Sequence, residues 1–267
     1  MVRLSRSWAV TTKDWRELSH NWTVLSTLFI PAAIFALLPI GIIYFVPFDA
    51  MAGELPPSFH EQFRGALPRM SEMTEADIGQ VLILMQMLSL LMIVPVSAPM
   101  VIATYSVIGE KQLRTLEPLL AAPITTLEIL VGKMLAAVLP GIVLTWAAYV
   151  ILVLAIRPGV SAPVYSFATG PTWLLVVLLV APPMTILAVN LGVIISSRLS
   201  DPRAAQQVGM LIIVPVIAVV IGQVTGLVLL TPLVVLLAAA VITLLAAVTL
   251  AIAVRLFDRE TILTRWR

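Results

Sequence analysis

The chain contains no cysteine. Disulfides, thiolate nucleophiles and thiolate-held metals are therefore excluded. Charge is nearly as scarce. Asp, Glu, Lys and Arg make up 11% of the 267 residues, against roughly a quarter in a soluble domain. The two histidines, His20 and His60, both fall outside the apolar runs. An intramembrane haem held by two histidines is thereby disfavoured, and so is a membrane enzyme built on histidine chemistry. No charged residue sits in the middle of an apolar run either, which argues against a proton relay or a buried ion site.

What remains is largely apolar. Hydrophobic residues are 60% of the chain, and the mean hydropathy is +1.07. Uncharged apolar runs of about 18 residues or more read as membrane helices. The fold class is an all-α polytopic membrane protein, a single domain over residues 1–267. Spans are expected at about 23–46, 80–107, 131–156, 173–195, 207–229 and 232–254. The last two come from one uncharged run, 204–254. As a single helix it would be about 75 Å long, over twice the membrane core. The run must fold back, and Thr231-Pro232 after Gly226 is the best turn.

Between the spans, residues 1–22 carry Trp8, Trp15 and Trp22 every seventh position, with Leu4 and Leu18 near the same stripe. That pattern predicts an amphipathic helix lying in the membrane interface, aromatic on one face and basic on the other. The polar sequence after Arg3 and Arg6 does not read as a cleavable signal. Residues 49–79 form an acidic external loop, closed by Thr74 and Asp77 as a capping box for the second span. The Pro-, Gly- and Ser-rich residues 158–171 are expected to form a loop. Asp201-Pro202 reads as a cap with proline at the first helical position. Gly222-x-x-x-Gly226 suggests close helix packing. Gln86, Asn190 and Gln223 are candidate polar contacts within spans, suited to interhelical contacts or to a pathway lining.

Lys and Arg are distributed unevenly. The N-terminus holds four, the stretch after the second span three, Ser196–Gln207 two and the tail 255–267 four; the opposite side has only Arg64, Arg69 and Arg157. The positive-inside rule then puts both termini in the cytoplasm.

The most informative stretch is Gly109–Lys133, GEKQLRTLEPLLAAPITTLEILVGK. Glu110 and Arg114 are four apart with the acid first, a favourable helical order. Pro118 disfavours helix at Glu117. Thr125-x-x-Glu128 is a capping box for the third span. The residues alone leave two readings open: a docking surface, or an interfacial re-entry helix with snorkelling charges.

This stretch resembles the signature of type-2 ATP-binding-cassette (ABC) permeases. The positions that carry the resemblance are Glu110, Thr115, Leu116, Glu117, Leu119, Leu120, Pro123, Glu128, Gly132 and Lys133. The amphipathic N-terminus, six spans, DPRAAQQVG before the fifth span and the RLFDRE tail agree with it. The resemblance implies an ATP-driven exporter subunit in a prokaryotic inner membrane. A cytoplasmic coupling helix in 109–124 would seat on an ATPase, and two permease copies, identical or different, would form the pathway. Glu110, Arg114, Thr115, Leu116, Glu117, Leu119, Leu120, Pro123, Glu128 and Lys133 would carry the coupling. The chain has no G-x-x-x-x-G-K-[ST] phosphate loop. It is thus expected to hold no cofactor and to be no enzyme itself, with ATP and Mg bound by a partner ATPase; no nucleic acid is implied. A non-transporting anchor that recruits a cytoplasmic ATPase is the alternative. Few polar groups in the spans suit an apolar cargo such as a drug, lipid or peptide.

Overall fold

In the computed structural model, residues 4–48, 73–112, 125–199 and 201–256 are described. All regular elements among them are helical. Helix α1 (Leu4–Ser19) comes first. Six longer helices follow, each long and apolar enough to cross a membrane: α2 (Trp22–Phe45), α3 (Glu75–Gly109), α4 (Leu127–Gly159), α5 (Ala162–Arg198), α6 (Pro202–Val224) and α7 (Pro232–Leu256). The acidic loop from 49 to 72, the connector from 113 to 124 and the tail from 257 onward lie outside the described residues.

Local chemistry sets most of the starts. The Asn21 side chain accepts from Val24 N and caps α2. Reciprocal capping boxes, Thr74 with Asp77 and Thr125 with Glu128, open α3 and α4. Asp201 accepts from Arg203 N and Ala204 N, with Pro202 opening α6. Each supplies acceptors for helix N–H groups that have no intrahelical partner.

Prolines shape the interiors. A 3₁₀ turn at Leu91–Ile93 precedes Pro95, a π turn at Val176–Val180 precedes Pro182, and a 3₁₀ turn at Met210–Ile213 precedes Pro215. Proline lacks an N–H, so an upstream carbonyl loses its helical donor, and hydrocarbon supplies none. Local rewinding and side chains take over. In the π turn, Ala181 N bonds to Val176 O. The carbonyl of Val177 would next pair with residue 182, which is proline; it accepts instead from Trp146 Nε1 at 3.0 Å.

Helix α3 is the centre of the bundle. It packs against α2, α4, α5 and the start of α6, while α7 lies chiefly on α5. Two apolar cores result. One, towards α1, includes Val24, Ile102, Ile129 and Val193. The other, towards the far end, includes Leu84, Leu88, Leu152 and Trp173.

Two expectations need correction. Residues 158–171 are not all loop: Ala162–Ala168 is helical. Pro163 stands in its first turn, where the missing N–H costs nothing. Ser161 Oγ donates to Asp77 Oδ1 at 2.6 Å and fixes this start against α3. The second correction concerns Gly222 and Gly226, expected as a helix-packing pair. Gly226 lies past the end of α6 with φ 69°. Gly222 makes room for the loop of its own chain, since a Cβ there would meet Val228 Cγ2 at 2.5 Å. The pair shapes the turn before Pro232.

Gly226→Ala should therefore destabilise the protein by about 1 kcal/mol, because side chains resist the left-handed conformation. Gly41, with nothing within 4 Å of a built Cβ, is the control: Gly41→Ala should be neutral or stabilising by about 0.5 kcal/mol. Unfolding in detergent micelles ranks the two, and equal effects would contradict this role for Gly226.

Candidate functional site

The buried face of α1 is Ser7, Val10, Thr11 and Asp14. Their spacing of three and four residues makes one helical stripe. It is small and polar, not aromatic. Trp8 and Trp22 are exposed, and Trp15 meets Trp8 edge to face at 5.6 Å. So α1 does turn two faces in different directions, but the one that holds it to the bundle is the small one.

Gly132 makes that contact possible. A Cβ there would lie 2.6 Å from Ser7 O and 2.7 Å from Val10 Cβ. The two helices approach at backbone distance, and three polar links fix the register. Thr11 Oγ1 donates to Gly132 O at 2.9 Å. Trp15 Nε1 donates to Ala136 O at 3.0 Å. The second link has a specific cause: Ala136 is four residues before Pro140, so proline has removed the donor its carbonyl would have.

The third link involves charge. Lys133 and Asp14 are each 3% exposed. Lys133 Nζ stands 3.5 Å from Asp14 Oδ2, a long approach. Ser106, near the end of α3, bridges them. Lys133 Nζ donates to Ser106 Oγ at 2.7 Å, and Ser106 Oγ donates to Asp14 Oδ2 at 2.8 Å. Lys133 Nζ also reaches Ser106 O at 3.4 Å. One lysine, one serine and one aspartate thus join α1, α3 and α4. Nearby, Glu128 is 1% exposed. Its Oε2 accepts from Thr125 N at 2.9 Å and lies 3.9 Å from Arg6 Nη1 of α1.

These positions change the reading of two expected coupling residues. Glu128 and Lys133 face inward and bind α1, so their charges are not offered to a partner surface. Glu110 stands in the last turns of the helix that ends at Gln112. Arg114, Thr115, Leu116, Glu117, Leu119, Leu120 and Pro123 lie outside the described residues. Asp14, Ser106 and Thr11 were not singled out by the sequence reading. A signal for them was present: Lys133 sits on an apolar helical face and required an acidic partner.

Gln86, Asn190 and Gln223 are separate from this cluster. Asn190 Nδ2 donates to Ala246 O at 2.8 Å and Thr249 Oγ1 at 3.0 Å, joining α5 to α7. Gln223 Oε1 accepts from Ser89 Oγ at 2.8 Å, joining α6 to α3. Gln86 Oε1 is buried and has no partner among the described residues.

A helical bundle with six candidate spans, locked at one end to an amphipathic helix by a buried ion pair, defines a multi-pass membrane protein. Residues 8–233 match the family described as ABC-2 family transporter protein, and the chain belongs to that family. It is a membrane permease component. The matched residues include Thr11, Asp14, Ser106 and Lys133. No curated protein matches the chain.

The pair can be tested by unfolding. Lys133→Met should cost about 3–5 kcal/mol, because Asp14 is left charged and buried. Asp14→Leu combined with Lys133→Met should restore most of that loss, since a buried pair is replaceable by apolar side chains. Wild-type stability in the single variant would show that the pair is solvated.

Proposed function

We propose that the chain is the permease subunit of an ATP-driven exporter. Two copies, identical or paired with a related chain, form the pathway in a prokaryotic inner membrane, with both termini in the cytoplasm. Separate ATPase subunits bind ATP and Mg. They dock on the connector 109–124, where Glu110, Arg114, Thr115, Leu116, Glu117, Leu119, Leu120 and Pro123 supply the contact.

The observation that carries this reading is the link made by Asp14, Ser106 and Lys133. Ser106 precedes the connector and Lys133 follows it. Both flanks are therefore tied to α1 and to each other. A displacement of the connector would be transmitted to α1, α3 and α4 together, and not absorbed by one flexible arm. Closure of an ATPase pair beneath it is the kind of input that could use such a fixture. In this mechanism Glu128 and Lys133 are positioning residues. The exposed side of α1, with Arg16 and Glu17, adds to the docking surface, and Trp8 and Trp22 lie at headgroup level.

The test is co-purification of the chain with its ATPase, followed by ATP-dependent flux in sealed vesicles. Leu116→Asp and Glu117→Arg should leave membrane insertion intact and abolish ATPase recovery. Undiminished recovery with either would exclude docking at this stretch. An ATPase that binds normally but supports no flux of any cargo would favour the anchor reading.

A further inference from the structure

Three of the candidate spans are interrupted inside the bundle, each just ahead of a proline: α3 at Leu91–Ile93, α5 at Val176–Val180 and α6 at Met210–Ile213. All three interruptions border one apolar cleft of about 140 Å³, which Met92 of α3, Val180 of α5 and Pro215 of α6 help to line. The unbroken helix α7 closes the remaining side at Val235 and Ala238. Proline alone does not produce such turns. Pro31 and Pro39 of α2 and Pro140 of α4 lie inside continuous α-helix, and neither of those helices lines the cleft.

We infer that the three turns are hinges, and that the ends of α3, α5 and α6 remote from α1 swing on them as one unit, with the cleft as the space they close. Three observations support the assignment. First, the segments on either side of the turns form two separately tied sets. The remote segments are Glu75–Leu90 of α3, 162–175 of α5 and Val214–Val224 of α6. Ser161, which opens the second, donates to Asp77 Oδ1 of the first at 2.6 Å. Ser89 of the first donates to Gln223 Oε1 of the third at 2.8 Å. The near segments interlock differently. Met100 of α3 enters a socket between Gly192 of α5 and Gly209 of α6, where an added Cβ would lie 3.1 Å and 2.6 Å from its sulfur.

Second, the turns can change angle without stranding backbone groups. Pro95 and Pro215 have no N–H to offer Leu91 O and Leu211 O. The 3₁₀ winding serves both carbonyls from Val94 N and Val214 N instead. In the π turn, Val176 O accepts from Ala181 N and Val177 O from Trp146 Nε1. Each turn has thus already left the regular helical ladder while keeping these carbonyls paired. Such turns within helices often mark functional hinges.

Third, there is room. A close-packed interior resists relative movement of its helices, and the cleft supplies space at the three turns themselves. Its two sides, α6 and α7, have little direct contact to break. The hinge requires only the membrane bundle; it stands or falls separately from ATPase docking.

Distances between paired spin labels test it. The chain has no cysteine, so introduced cysteines carry the only nitroxides. Pulsed EPR on the full chain in lipid nanodiscs, mixed with excess unlabelled chain, reads distances within one copy. Leu154→Cys with Val224→Cys joins α4 to α6 at the remote end; Leu127→Cys with Val208→Cys joins the same two helices near α1, and all four positions are exposed. The arm Val214–Val224 has 11 residues, about 16 Å of helix, so a bend of about 20° displaces its tip by about 5 Å. The remote pair should show two populations separated by about that distance, and the near pair one narrow population. Leu174→Cys with Val224→Cys, within the swinging unit, should also give one. A single population for the remote pair would overturn the hinge, and so would equal spreading at both ends. Two populations within the unit would overturn its movement as one body. Ala238→Phe, which fills the cleft, should reduce the remote pair to one population; both populations persisting in a folded Ala238→Phe protein would overturn the role of the cleft.

Discussion

The burial of Lys133 beside Asp14 is the constraint on which the α1 end of the bundle depends. Both charges are almost completely removed from solvent, and desolvation of that kind is not a net stabiliser by itself. What it supplies is register. Helix α1 has no broad apolar stripe to hold it; its inner face is Ser7, Val10, Thr11 and Asp14. A shift of α1 by one turn would place Asp14 away from Lys133 and leave two buried charges unpaired. Thr11 and Trp15 would lose their carbonyl partners in the same movement. The polar links therefore specify one seating of α1, and Gly132 allows it by omitting the Cβ that would hold the backbones apart.

The same accounting of hydrogen bonds explains the proline-rich spans. In hydrocarbon a carbonyl without a donor is expensive, yet several helices carry interior prolines. The protein resolves this locally. Trp15 serves Ala136 ahead of Pro140, and Trp146 serves Val177 ahead of Pro182. Both indoles join separate helices at the point where a proline has freed a carbonyl. The defect in one helix becomes the attachment point for another, and packing at that point acquires a direction that apolar contact alone lacks.

This also defines what was legible in the sequence. Hydropathy marked six spans because long uncharged runs have few other uses. Thr125-x-x-Glu128 and Thr74 with Asp77 were readable as caps because the partners are three residues apart, and both boxes are formed. The turn before Pro232 was marked by residues whose backbone preferences are strong. Contacts between distant segments were not legible. Asp14 and Lys133 are 119 residues apart, and no local pattern pairs them. The tryptophan heptad marked α1 as amphipathic but not which residues seat it: Trp8 is exposed, while Trp15 bonds to Ala136 of α4. Pro163 was read as a loop signal, although proline in a first turn is compatible with helix. Glu128 and Lys133 were assigned to coupling through the resemblance to a family signature, which does not show which way a side chain faces; each is matched by a charge from α1.

The distribution of polar links gives the bundle a mechanical asymmetry. At the α1 end, three helices meet through one lysine, one serine and one aspartate. On the same half, α5 and α7 are joined through Asn190; towards the other side, α6 meets α3 through Gln223 and Ser89. Helices α6 and α7 have little direct contact. Separation of two helices in a membrane costs the packing and hydrogen bonds lost between them, since hydrocarbon replaces the apolar contact at small cost. By that measure α1, α3 and α4 resist relative motion, and the seam between α6 and α7 resists it least. A load applied at the connector would reach the seam through α3, which carries Ser106 at one end and Ser89 towards the other. The gap between α6 and α7 thus lies where the bundle is easiest to open, part-way along the helix that the ion pair holds.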